Sequence, residues 1–284
     1  MEDVIKIIEE NISLIRNKEN KLSRIKSAMY REAAIAIHGS NETSNIDDVR
    51  RIFELVSGKN LIEIDATDLA LFSLELSKKV GNELGTIGHS AINESSTATI
   101  AYMQNSYSDT AYRKFSSNFK RAGAVYFPGF REVCEEVYYG RCTHAIVPIY
   151  TSKDGQLLSF RKLISKYELK IVAECNVEMN DDSIMRHALL KKGVCADSNT
   201  KYIDLSVILP DHIKAGDFIR AFEILGGNVV MINSIPLEYS DEKFTLDFIL
   251  EMDNMNLSSL YLFLELSQIS YDIIGLYSVL HDDN

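Results

Sequence analysis

Three short polar clusters follow apolar runs and carry the side chains most able to do chemistry. Ser106-Tyr107-Ser108 comes after TIAYM (99–103), Thr151-Ser152 comes after HAIVPIY (144–150), and Arg186 lies within MRHALLKK (185–192). Hydroxyls placed where a buried strand gives way to a helix, with a cation in reach, can cradle a small anion. Each cluster also has a plain structural reading. Ser108 or Asp109 could cap a helix, Thr151 and Ser152 could hold the TSKDG turn, and Arg186 could be an edge charge. Metal chemistry is not expected. Cys134, Cys142, Cys175 and Cys195 lack a C-x-x-C spacing, and the six histidines lack HxxxH or HExxH. No cofactor is expected either.

The elements that must position these residues fall into three stretches. Residues 1–85 read as all-helical, with apolar positions at helical spacing (Val4, Ile7, Ile8, Ile12, Ile15, Leu22, Ile25, Met29) and further helices from Asp47/Asp48 and from Asp65 or Thr67. GTIGHSAINESSTA (85–98) marks a break, with the linker itself at 86–97. From 98 to 195, strands and helices alternate: strands at 99–103, 123–128, 144–150, 168–179 and 185–192, helices at 108–122, 129–141 and 155–167. That alternation predicts an α/β layer with a mainly parallel sheet. Residues 200–284 read β-α-β-β-α-β, the ferredoxin-like order.

Composition limits the function classes. The net charge of −11 argues against a phosphate-backbone binder, which needs clustered Lys and Arg. No apolar run reaches the roughly 20 residues of a membrane span, and the acidic start MEDVIKIIEENI is unlike a secretory signal. A cytoplasmic protein, with neither nucleic acid nor membrane as partner, is the expectation.

The central segment, IAYMQNSYSDTAYRKFSSNF followed by HAIVPIYTSKDGQLLSFRKLISKYELKIVAE, resembles the first lobe of prephenate dehydratase. There a strand enters a glycine-rich S-Y-S turn, and a later V-V-P-I-E-N strand feeds a helix. The C-terminal unit resembles the ACT domain that follows that enzyme and senses phenylalanine. The helical N-terminus stands where bifunctional members carry a chorismate mutase. The resemblance implies a helical domain (1–85), one periplasmic-binding-protein-like lobe (98–195) and a ferredoxin-like ACT domain (200–284).

The same resemblance implies that the family's chemistry is eroded. Only EMNDDSI separates the strand ending near Val177 from the returning strand, too little for a second lobe. Met185 stands at the family's catalytic threonine, His187 at its phenylalanine, and Tyr150-Thr151 at its Glu-Asn. Ser106, Tyr107, Ser108, Thr151, Ser152 and Arg186 remain as remnant substrate-site candidates. Lys79 and Glu83 are the mutase-site candidates, and Ala215, Gly216, Asn233 and Ser234 the effector-site candidates. The expected function is a degenerate, non-catalytic or regulatory relative in phenylalanine biosynthesis. The alternative is a residual mutase or dehydratase with a site rebuilt at a dimer interface. Partners implied are a second copy, through the ACT or helical domain, and a small effector, prephenate or chorismate.

Overall fold

The described strands join in a single ten-stranded sheet. The computed structural model describes residues 11–22, 24–26, 28–30, 46–58, 65–80, 97–194, 200–210, 213–236 and 244–280. Most of the 86–97 linker lies outside them, as do Glu83 and the side chain of Lys79.

The central elements are β1 (Thr97–Met103), α4 (Ser106–Ser116), β2 (Arg121–Phe127), α5 (Phe130–Tyr138), β3 (His144–Thr151), β4 (Gly155–Gln156), α6 (Leu158–Lys166), β5 (Leu169–Glu178) and β6 (Ile184–Lys192). Alternation along the strands sorts the core into two faces, as the pleat requires. Ala101, Ala145, Val147, Ala188 and Leu190 share a cluster with Val133 and Val137 of α5 and with Ile164 of α6. Ile100, Tyr102, Ile146, Leu189 and Cys175 share the other with Ala111 and Phe115 of α4.

Two local expectations change. Residues 155–167 are not one helix, because Gly155-Gln156 first fold back on Tyr150-Thr151 as β4. Gly155 makes that turn at φ +73, a left-handed conformation that a side chain would strain. The sheet is mixed rather than mainly parallel. β1 pairs in parallel with β2 and β3, but β6 lies antiparallel to both β3 and β5. The cause is the β5–β6 hairpin, in which Glu178 faces Ile184 and the Met179 N–H donates to the Ser183 carbonyl. A turn this short brings the chain straight back beside the strand it left, and only antiparallel pairing results.

The C-terminal order is β7 (Tyr202–Ile208), α7 (Ala215–Ile224), β8 (Asn228–Pro236), β9 (Phe244–Glu251), α8 (Leu257–Ser267) and β10 (Ser270–Leu280). Its strands lie as β10-β7-β9-β8, antiparallel at every step, which is ferredoxin-like topology. β10 also pairs in parallel with β5. That contact is close at Gly275, where a Cβ would stand 2.6 Å from the Ile171 Cβ and 2.9 Å from its carbonyl oxygen.

The chain divides into two compact units. One comprises Met1–Gly85, Leu209–Gly227 and Asn254–Ile269; the other is Thr86–Ile208, Asn228–Asp253 and Ser270–Asn284. β10 continues the β5 ladder, so the C-terminal strands share one sheet with the central ones.

In the first unit, described residues of 11–30 are helical (α1), followed by α2 (Ile46–Ser57) and α3 (Ala66–Val80). Tyr30, Phe53 and Phe72 meet edge-on and stacked, with the two Phe centroids 4.4 Å apart. Asp65 caps α3 by accepting from the Thr67 N–H at 2.9 Å. α2 starts at Ile46, so Asp47 sits in its first turn and pairs with Arg50 at 2.7 Å instead of capping it. α3 runs against α7 and α8 within this unit.

Candidate functional site

The structure separates the residues that the sequence grouped. Ser106, Tyr107 and Ser108 form the first turn of α4, on the Tyr102 face of the sheet. Asn105 is the N-cap, not Ser108 or Asp109; its Oδ1 accepts from the backbone N–H groups of Tyr107 and Ser108 at 3.1 and 2.9 Å. Asp109 accepts a hydrogen bond from the Tyr102 hydroxyl at 3.0 Å. Ser108 is fully buried and its Oγ makes no hydrogen bond. A side-chain acceptor already meets the helix N-terminus, so that end is not an empty anion site.

Thr151 and Ser152 serve the turn and the neighbouring strand. Thr151 Oγ1 donates to Asp154 Oδ2 at 3.0 Å and accepts from the Asp154 N–H at 2.9 Å. Ser152 Oγ accepts from the Ile184 N–H at 3.0 Å. Across the β3–β6 ladder Thr151 faces Met185 and Tyr150 faces Arg186.

Arg186 belongs to the α6 face. Its guanidinium lies over the Tyr150 ring at 5.1 Å and its Nη1 is 3.5 Å from Glu174 Oε2. Of the effector-site candidates, Ala215 and Gly216 are exposed at the start of α7. Asn233 and Ser234 lie on β8; Ser234 is exposed, and Asn233 donates to the Gln156 side chain at 3.0 Å.

Around Arg186 the second unit encloses a cavity lined by Ile149, Tyr150, Arg161, Glu174, Asp204 and Met231, among others. Its volume is about 20 Å³, room for about one water molecule. Arg161 of α6 is buried and grips Asp204 of β7 with two nitrogens, Nη2–Oδ1 being 2.6 Å. Its Nε is 3.1 Å from Asp247 Oδ2 of β9, and Ser206 donates to the other Asp247 oxygen at 2.7 Å.

Burial pushes the Glu174 carboxyl up to about 7, against the pull of Arg186. Burial also raises Asp247, with Arg161 opposing, and raises the Tyr277 hydroxyl beside Glu174. Arg161 stays charged because Asp204 and Asp247 outweigh its desolvation. Two guanidiniums thus face three carboxyls, and burial favours the protonated form of Glu174.

Sequence reasoning missed Arg161, Glu174, Asp204 and Asp247. A signal was present: each acid is alone in an apolar strand (IVAECNV, YIDLSVI, FTLDFIL), where a buried charge must have a partner. Among the described residues no group of three or more His, Cys, Asp and Glu could hold a metal ion. No described helix is long and apolar enough to cross a membrane.

Comparison with known proteins gives this lobe its relatives. Residues 101–192 match the sequence model of the prephenate dehydratase family. Among solved structures, prephenate dehydratase from Streptococcus mutans is similar at a TM-score of 0.53 and 23% identity, over 65% of this chain and 100% of that one. Prephenate dehydratase from Arthrobacter aurescens in complex with L-Phe gives 0.51 and 14%, over 63% and 90%. GqqA, described as a novel type of quorum quenching acylase, gives 0.51 and 17%, over 63% and 94%. At these identities the structural likeness is one of fold. No curated protein matches the chain.

Proposed function

We propose that the chain is a catalytically degenerate relative of prephenate dehydratase, acting by regulation or association in phenylalanine biosynthesis, with its C-terminal strands and helices an ACT-like module. The observation that carries this reading is the cavity beside Arg186. At about 20 Å³ it has no room for a ten-carbon dicarboxylate, and both of its cations are engaged by carboxylates. A substrate pocket buries most of its ligand, and the β5–β6 turn leaves no chain between those strands to build a second wall. Met185 adds no hydroxyl where the resemblance places the catalytic threonine.

The test is a steady-state assay of the purified protein with prephenate, reading phenylpyruvate, and with chorismate, reading its loss. The expected result is no turnover above the uncatalysed rate. A kcat/KM at or above about 10⁴ M⁻¹s⁻¹, the lower end for enzymes, on either substrate would overturn the reading. Activity on chorismate would point to the N-terminal helices and to Lys79 and Glu83.

A further inference from the structure

β2 is the last strand at one end of the sheet. It pairs in parallel with β1 over its whole length, from Thr97 facing Arg121 to Met103 facing Phe127, and no strand lies on its other side among the described residues. An edge strand presents N–H and C=O groups that can take up another chain, and proteins usually blunt it with a bulge or a proline. β2 has neither. Its register against β1 is unbroken, RAGAVYF holds no proline, and its one charge is Arg121 at the start. The Ala122 carbonyl is taken by the Tyr112 hydroxyl at 3.1 Å. Gly123 is exposed, and a Cβ there would come no closer than 3.9 Å to Ala98 oxygen, so the middle of the strand is open.

Charge selects what this edge accepts. From Thr110 to Phe130 the chain carries Arg113, Lys114, Lys120 and Arg121 and no Asp or Glu, so this stretch is +4 in a chain of −11 and leaves −15 on the rest. Arg113 and Lys114 lie in the last turn of α4, which packs on β2, and Lys120 and Arg121 stand where β2 begins. Arg113, Lys120 and Arg121 are exposed, and none pairs with a carboxylate among the described residues; Arg113 meets only the Asp109 carbonyl and the Thr110 hydroxyl. The α4 dipole accounts for cations in its last turn, but Lys120 and Arg121 lie past the helix. At the far end of the strand Tyr126 is 51% exposed, its ring edge-on to Tyr102 at 5.0 Å. A second copy of β2 is disfavoured because two +4 stretches would meet. Nucleic acid is disfavoured by the −15 on the rest of the chain. An extended peptide fits if it is acidic beside Lys120 and Arg121 and apolar beside Tyr126, five residues or about 16 Å further along.

We infer that β2 takes up an acidic, extended segment of a partner protein as an added strand, with main-chain hydrogen bonds giving affinity and the cations giving selectivity. This surface is separate from the Arg186 cavity, so the inference stands whether or not the lobe catalyses. The probe is the heptapeptide Glu-Glu-Thr-Val-Thr-Val-Phe, together with its reversed sequence, titrated into the ¹⁵N-labelled full chain in low salt. One of the two should shift the amide resonances of Ala122–Tyr126 with a Kd of about 100 µM or tighter. Lys120→Glu with Arg121→Glu, both at exposed positions, should weaken binding at least tenfold at unchanged Tm. The same peptide with lysines in place of its glutamates should prefer that variant to the wild type, which misfolding would not produce. A fully N-methylated peptide, equal in charge but without backbone donors, should bind at least tenfold more weakly than the parent. No shift at about 1 mM peptide, shifts confined to residues away from β2, no loss in the Lys120→Glu/Arg121→Glu variant, or equal binding of the N-methylated peptide overturns the inference. So does tighter binding of a thymidine oligonucleotide than of either peptide.

Discussion

Replacing Arg161 by methionine tests whether the charged seam is held together by that one side chain. Arg161 is 9% exposed and contacts both Asp204 and Asp247, each of which is 2% exposed. Methionine keeps much of the volume and removes the cation that pairs with both aspartates, so two carboxyls are left buried against apolar strands. Removing one partner of a buried pair costs about 3–5 kcal/mol. With a urea m-value of about 3 kcal/mol/M for a chain of this size, the midpoint should fall by roughly 1–1.7 M. Arg161→Met combined with Asp204→Asn and Asp247→Asn removes the stranded charges and should recover to within about 1 kcal/mol of the wild type. Urea unfolding at pH 7, followed by far-UV circular dichroism, measures all three proteins. The single variant should also regain stability as pH falls from 7, because burial already raises the Asp247 carboxyl and protonation there relieves the charge. A loss below about 1 kcal/mol for the single variant, or no recovery in the triple variant, would refute the reasoning.

Two further variants probe the same region. The Glu174 carboxyl sits near 7 in the fold against an ordinary 4.5, so the native state holds a proton that the unfolded chain releases. Stability from this group is therefore full below about pH 4.5 and is lost as pH rises through 7. Glu174→Gln should match the wild type in thermal denaturation at pH 5 and exceed it at pH 8 by up to about 3 kcal/mol, and a gap that does not widen with pH would count against it. Gly275→Ala would push a Cβ to within 3.0 Å of Ile171 backbone oxygen, so β10 must shift from β5. The expected loss is about 1–3 kcal/mol, read as a fall in Tm of about 2–4 °C per kcal/mol; an unchanged Tm would mean that the strands have slack.

The strands and helices were legible because their signals are local. HAIVPIY and MRHALLKK announce buried strands by apolar runs, and the β5–β6 hairpin follows from the shortness of EMNDDSI. The order β-α-β-β-α-β was equally readable, and the observed strand order agrees with it. Pairing between distant strands was not readable. Nothing local in DIIGLYSVL says that it continues a sheet beginning at residue 97, although Gly275 at the point of closest approach is the residue such a contact requires. The site was misgrouped for a similar reason. Ser106–Ser108 and Arg186 were joined by family resemblance, but strand parity puts them on opposite faces. Asn105 was overlooked as a cap because the better-known Ser-Tyr-Ser triplet follows it.

The seam also explains why β10 can join β5 in one register. Apolar strands alone specify register weakly when both faces are covered, since a slip of two residues keeps every side chain on its own face. Here a slip of two would move Tyr277 away from Glu174 and carry Ile171 away from Gly275 into a larger residue. On the other side of β10, a slipped β7 would take Asp204 out of reach of Arg161. Buried charges add little net stability over well-packed apolar groups, but a misaligned one is costly, and that asymmetry penalises every wrong register. The arginine that the resemblance would assign to substrate is, in this fold, part of the set of contacts that fixes where the C-terminal strands attach.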